Sequence, residues 1–556
     1  MSPEHNKRRR VIILGWDGAT WDLLKPWMEQ GDLPNLARIC AEGAWGPLAS
    51  TTPPFSATAW TTFATGVNPG KHGIFDFWYR GPDGRRLPID ATSVRAPAFW
   101  KHLSEAGRRV AVIGVPINTY PPTPVNGVMV SGLLTPPGAS VFTYPESLAG
   151  EICAAVGAYR PDPYAAITQS KTFLRDAIYW TEQREQAHRY LWGREAWDCF
   201  IQVTNAPDVI QHYFWTYLHP GHPDYRAPGA AAYRELALTV FRRLDDIIGQ
   251  RIANLGADDV LIIMSDHGFG EATHWFNLNR FLVEKGFLTL HPSPALNKIG
   301  LTQERILGTL RRLDVLGLRG KLRNRTRLRF HQRLDRLIAP PVDWSRTLAY
   351  AASMTAEAVY LNVRGRDPDG IVEPGVEYEK VRQEIIEALK EARDPDTGQP
   401  VFRAVHRRED LYHGPYIGRA PDILLEVGDN PYVMAERLSS PRIFERIPRQ
   451  AARGRHRPHG VLVAYGGPVR KGVRIADARL LDLAPTILAL LGLPVPSEMD
   501  GRVLTELFAE GSVACSSYSA GGSEEQGPTT AETESGYSAE EVAWVEQRLR
   551  SLGYLE

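Results

Sequence analysis

The sequence predicts a three-layer α/β sandwich with a mostly parallel central sheet, interrupted by an inserted cap. Three observations lead there. Short aliphatic runs recur along the 556 residues, each ending in a polar or glycine-rich turn. Amphipathic helical stretches separate these runs, and strands alternating with helices build a parallel sheet covered on both faces. The composition, 43% hydrophobic with 64 basic and 64 acidic residues, is that of a globular chain.

The clearest runs are Val11–Leu14, Val110–Ile113, Cys199–Val203, Val260–Met264, Ile423–Glu426 and Val461–Tyr465. Mostly apolar runs of this length suit strands buried on both faces. Helical patterns lie at Tyr233–Leu255 and Tyr378–Ala392. The expected order is an α/β core in two parts, 9–290 and 401–508, with the cap at 291–400 between them. Residues 305–336 of the cap hold eleven Lys or Arg against Asp314 and Asp335. That segment reads as solvated amphipathic helices with inward leucines. Its sharper reading is a surface that steers an anionic substrate or touches an acidic lipid surface, as a peripheral membrane contact. Residues 509–537, rich in Ser, Gly, Glu and Thr, have a linker composition. A terminal helix follows at 538–556, where Ser538 and Glu541 match a capping box.

Zero formal charge gives no general reason to expect nucleic acid as a partner. The four cysteines, Cys40, Cys153, Cys199 and Cys515, show no CxxC pair, and a chain this large needs no disulfide framework. After the basic N-terminal cluster the apolar run is too short for a signal peptide, and no window approaches a transmembrane segment. A cytoplasmic protein is expected.

In such sheets the chemistry gathers beyond the C-terminal ends of the strands. The first run leads to Asp17-Gly18, which alone reads as a turn. The Val260–Met264 run leads to Asp266-His267-Gly268, a carboxylate and an imidazole suited to zinc or manganese. After Cys199–Val203 come Asp208 and His212, spaced to share one helical face. His456 and His459 flank the start of the Val461–Tyr465 run and compete as a further ligand. The stretch from Thr51 to Phe77 is dense in hydroxyls. A hydroxyl at the entrance of its helix would face free N–H groups that favour phosphate. Thr51, Thr52, Ser56, Thr58, Thr61 and Thr62 all compete for that place.

Together these pieces resemble the alkaline phosphatase superfamily, and within it the nucleotide pyrophosphatase/phosphodiesterase-like branch. The resemblance rests on Trp16-Asp17-Gly18, a Ser or Thr nine residues before Thr65-Gly66, and Asn68-Pro69-Gly70-Lys71-His72-Gly73. It also rests on Pro207-Asp208 with His212, Ser265-Asp266-His267-Gly268, Gly454 with His456, and Asp482 through Arg502. It runs from about residue 9 to 508.

The resemblance implies two divalent metal ions, zinc first, with manganese or iron also suited. Asp208, His212 and His456 would hold one, and Asp17, Asp266 and His267 the other. The nucleophile aligns with Ser56, which would also touch the second ion. The implied activity is hydrolysis of a small phosphorylated substrate, a phosphodiester or phosphoanhydride, through a phosphoseryl intermediate. Phosphomonoesterase or phosphomutase activity is the alternative within the superfamily. A silent binding protein on this scaffold is the rival class, and its mark would be a lost ligand; none is lost. Two departures narrow the reading. Ala59 cannot donate the hydrogen bond of the Asn in a Thr-Phe-Pro-Asn nucleophile motif. Thr58 and Trp60 stand where sulfatases need Pro and Arg.

Overall fold

Val11–Trp16 is buried at every position because it is the middle of the central sheet, with strands on both sides and helices above and below. The computed structural model describes residues 9–80, 86–163, 167–291, 342–352, 357–438, 440–448, 453–514, 516–518 and 536–552. The basic segment 305–336, Cys515 and most of the linker lie outside the described residues.

Across the sheet the order is Val473–Arg474, Ala44–Ala49, His459–Tyr465, Val260–Met264, Val11–Trp16, Cys199–Thr204, Val110–Ile113, Gly127–Val130 and Thr143–Tyr144. Ala478–Arg479 adds a tenth strand beside Ala44–Ala49. All run parallel except His459–Tyr465 and Thr143–Tyr144. The two faces of the sheet pack into separate apolar clusters, since alternate residues of a strand point to opposite sides. Ile12 and Leu14 belong to one, Val11 and Ile13 to the other.

The reversed direction of His459–Tyr465 matters for the site. An antiparallel strand begins where its parallel neighbours end. A residue placed just before it therefore lands at the same edge as residues placed just after the others. The short ribbon pairing Gly268–Glu271 with Gly454–Arg457 delivers the chain to that edge.

Ile423–Glu426, expected among the core strands, lies elsewhere. It pairs antiparallel with Ala358–Leu361 and Ala404–Arg407 in a second, four-stranded sheet that also includes Ala349–Tyr350. The strand is apolar on both faces because Ile423 and Leu425 pack into that sheet's own core, while Leu424 packs against Tyr412 and Ala420. Apolarity reports burial and not the partner, so the run looked like the others. This second sheet takes strands from both sides of residue 400. The helices Ala230–Ile252 and Val376–Lys390 match the expected stretches to within a few residues.

The terminal helix Ala539–Leu552 docks on the core. Its capping box is present: Ser538 N–H donates to Glu541 at 2.8 Å, and Glu541 N–H to Ser538 at 3.4 Å. Val545, Leu549 and Leu552 join the main apolar cluster. Arg548 pairs with Asp162 at 2.6 Å, with side chains 2% and 0% exposed. Arg548→Ala would strand that buried carboxylate, so unfolding free energy should fall by about 3–5 kcal/mol in a chemical denaturation series. Among the described residues no helix is long and apolar enough to cross a membrane.

Candidate active site

Four chain segments meet at the edge where the parallel strands end. Val11–Trp16 delivers Asp17, and Gly18 turns the chain away with φ of 67°. Cys199–Thr204 leads into the helix Ala206–Leu218, which carries Asp208 and His212 one turn apart. Val260–Met264 delivers Asp266 and His267, and the ribbon strand Gly454–Arg457 delivers His456. Asp17, Asp208, Asp266 and His267 are all at most 1% exposed.

The three imidazoles share one orientation. Nδ1–H of His212 donates to the Gly454 carbonyl at 3.1 Å, that of His267 to the Gly268 carbonyl at 3.0 Å, and that of His456 to the Pro54 carbonyl at 3.0 Å. A carbonyl only accepts, so each ring places a proton on Nδ1 and turns its Nε2 inward. Gly454 permits the first contact, because a Cβ there would lie 2.3 Å from the Gln211 carbonyl and 2.5 Å from Phe269.

The inward atoms form two joined groups. His456 Nε2 lies 3.1 Å from His212 Nε2 and 3.2 Å from Asp208 Oδ1, and His212 Nε2 is 3.4 Å from the same oxygen. Around His267 Nε2 lie Ser56 Oγ at 3.1 Å, Asp266 Oδ2 at 3.3 Å and Asp17 Oδ1 at 3.6 Å. Donor atoms of Asp17, Asp208 and His267 also approach within 4.8 Å of one another, so Asp208 stands between the groups. Among the described residues, Asp17 Oδ1 and Asp266 Oδ2 have no hydrogen-bond partner.

The electrostatics follow from crowding. Burial, then the charges of Asp266 and Asp208, push the Asp17 carboxyl well above its usual range. Burial also raises Asp266. Burial would raise Asp208 too, but His212 and His456 hold it well below the usual carboxylate range. Burial, with His267 alongside, lowers His456 to about 3. Three buried carboxylates, imidazoles with Nε2 turned inward and two carboxylate oxygens without a hydrogen-bond partner among the described residues fit bound divalent metal. The Nε2 atoms of His212 and His456, 3.1 Å apart beside the Asp208 carboxylate, are close enough to share one ion.

Ser56 opens the helix Ser56–Thr65, and Gly66 in the left-handed conformation closes it. The Ser56 hydroxyl is hydrogen-bonded to His267 Nε2, and His267 Nδ1–H is fixed by the Gly268 carbonyl. The rival hydroxyls are turned elsewhere. Thr51 donates to the Pro53 carbonyl at 2.7 Å and Thr61 to the Ala57 carbonyl at 2.8 Å, while Thr62 meets His72 Nε2 at 3.0 Å. Thr52 and Thr58 make no hydrogen bond to the cluster among the described residues. His459 sits exposed, beside Ala49 in the sheet, outside this cluster.

The Asn68–Gly73 segment brings no ligand. Asn68 Oδ1 accepts from the backbone N–H groups of Gly70 and His413, each at 3.0 Å, and Asp500 accepts from Asn68 N–H at 2.7 Å. It ties the Ser56 helix to the second sheet's loop and to the late Asp500 segment. Residue spacing missed the three carbonyls that orient the imidazoles, since no side chain marks a carbonyl. It also missed Trp60, whose indole N–H donates to Asp17 Oδ2 at 3.3 Å.

Comparison with known proteins places the chain in a family. Residues 11–460 match the family of type I phosphodiesterases and nucleotide pyrophosphatases. The 2,3-bisphosphoglycerate-independent phosphoglycerate mutase of Aeromonas salmonicida is 34% identical over 88 residues, 16% of this chain and 17% of the mutase. The match thus spans about a sixth of such a relative. Phosphonoacetate hydrolase from Sinorhizobium meliloti superposes with a TM-score of 0.51 at 16% identity, covering 87% of this chain and 95% of that one. Human ectonucleotide pyrophosphatase/phosphodiesterase 5 gives 0.45 at 15% identity, over 90% and 100% of the two chains. At these identities the structural likeness speaks for the fold alone. The family match covers most of the chain: this protein belongs to the type I phosphodiesterase/nucleotide pyrophosphatase family, within the alkaline phosphatase superfamily.

Proposed function

We propose that this chain hydrolyses phosphodiesters or phosphoanhydrides with Ser56 as the nucleophile. The observation that carries this reading is the convergence of three inward-facing imidazole Nε2 atoms and three buried carboxylates beside the Ser56 hydroxyl. Asp208, His212 and His456 would hold one divalent cation, zinc by preference, and Asp17, Asp266, His267 and the Ser56 oxygen the other. Such a pair supplies Lewis-acid stabilisation of charge on the attacking and leaving oxygens.

The chain's own groups do the rest. The helix start presents Ser56, and the first-turn N–H groups of Ala57 and Thr58 have no intrahelical acceptor, so they favour a phosphate oxygen. The Ser56 oxygen, its proton passed to solvent water, forms a bond to phosphorus as the bond to the leaving oxygen breaks, and the displaced oxyanion takes a proton from water as it departs. Water then cleaves the phosphoseryl ester and restores the hydroxyl. The backbone carbonyls of Gly454, Gly268 and Pro54 keep the imidazoles in the tautomer that faces inward.

A panel of 4-nitrophenyl monoesters and diesters tests the substrate class. Bis(4-nitrophenyl) phosphate should be turned over at least about 10-fold faster, by kcat/KM, than 4-nitrophenyl phosphate, a difference of roughly 1.4 kcal/mol in transition-state binding. The opposite order would favour the monoesterase reading. The short match to phosphoglycerate mutases gives a second outcome to watch: transfer of the phosphoryl group to an added alcohol instead of water.

A further inference from the structure

Trp60 lies one turn after Ser56 on the same helix and is completely buried. Its indole N–H donates to Asp17 Oδ2 at 3.3 Å, while Asp17 Oδ1 has no hydrogen-bond partner among the described residues and lies 3.6 Å from His267 Nε2. The ring is wedged against the strand that carries Asp17. A Cβ at Gly15 would lie 2.8 Å from the far edge of the Trp60 ring and equally close to Val203. Phe63 meets the indole edge-on at 5.7 Å between ring centres. One side chain therefore touches both the helix that presents the nucleophile and the carboxylate expected to face a cation.

We infer that Trp60 is a positioning residue. It ties up Oδ2 of Asp17, leaves Oδ1 as the single donor atom, and locks the Ser56 helix in register with that carboxylate. The inference rests on the two-cation reading above. It goes beyond it by assigning a role to a residue that itself touches neither substrate nor ion. A fixed partner of this kind limits the orientations a ligand samples, so its loss weakens metal binding even when every ligand remains.

The test is Trp60→Phe, which keeps an aromatic ring in the core and removes the N–H. Zinc affinity is read by competition with a chromophoric chelator, and folding by circular dichroism and thermal unfolding. The parent protein should bind zinc, and Trp60→Phe should bind one equivalent about 10–100-fold more weakly. Its kcat should fall while KM for bis(4-nitrophenyl) phosphate stays near the parent value. Gly15→Ala supplies an independent push on the same ring. The shorter Phe ring relieves that contact, whereas the clash with Val203 persists in both backgrounds. Gly15→Ala should therefore weaken zinc binding more in the Trp60 background than in the Trp60→Phe background, a coupling that double-mutant comparison isolates. A folded Trp60→Phe protein with parental zinc affinity and kcat would overturn the positioning role and leave the two-cation reading intact. A parent protein that binds no zinc, manganese or iron would overturn both.

Discussion

Ser56→Ala should lower kcat by on the order of 10³-fold or more while leaving fold and metal content intact, because removing a nucleophile leaves only binding and charge stabilisation to act. The structural cost is small. The substitution deletes one oxygen and its 3.1 Å hydrogen bond to His267, worth about 1 kcal/mol. Ser56→Thr should keep measurable activity, since it retains a hydroxyl at the same helix start. Thr58→Ala and Thr61→Ala should cost far less, because neither hydroxyl contacts the cluster. Rapid quench with labelled substrate, followed by phosphopeptide mapping, decides the matter. Label on Ser56 is expected. Label on another hydroxyl refutes the assignment. An active Ser56→Ala protein without any covalent label would mean direct attack by water.

Removing the cations should have an effect of comparable size. Active protein should contain about two transition-metal ions per chain, and a chelator should abolish turnover, since metal stabilisation of the transition state is worth several kcal/mol, or on the order of 10³-fold. Asp208→Asn should disturb both ions, because Asp208 Oδ1 contacts His212 and His456 while the carboxylate also approaches Asp17 and His267. Asp266→Asn should disturb one, because its free oxygen faces only the His267 group. Elemental analysis of the purified variants separates the two results. Active protein without bound transition metal, indifferent to chelator, would end the two-metal account.

Local patterns carried much of this site. Asp17, Asp208 with His212, and Asp266 with His267 each lie at or just beyond the end of an apolar run, and a parallel sheet brings such ends to one edge. The capping box at Ser538 and the glycine that ends the Ser56 helix were equally local. His456 was harder, because it precedes its strand. Only the antiparallel direction of His459–Tyr465 brings it to the ligand edge and leaves His459 exposed.

The sequence by itself determined which segments are buried, where the main core strands end, and which acids and imidazoles stand at those ends. These depend on periodicity and on neighbours a few residues away. The tertiary structure decided the rest: the hydroxyl of Ser56, and not those of Thr51, Thr61 and Thr62, beside His267, Ile423–Glu426 in the second sheet, Trp60 on Asp17, and the terminal helix against Asp162. Trp60 and Asp17 are 43 positions apart and Arg548 and Asp162 are 386 apart, while Ile423–Glu426 pairs both with nearby Ala404–Arg407 and with the more distant Ala358–Leu361. The physical reason is that a side chain's burial and hydrogen-bonding capacity are written in its own chemistry, while its partner is set by strand order, direction and register.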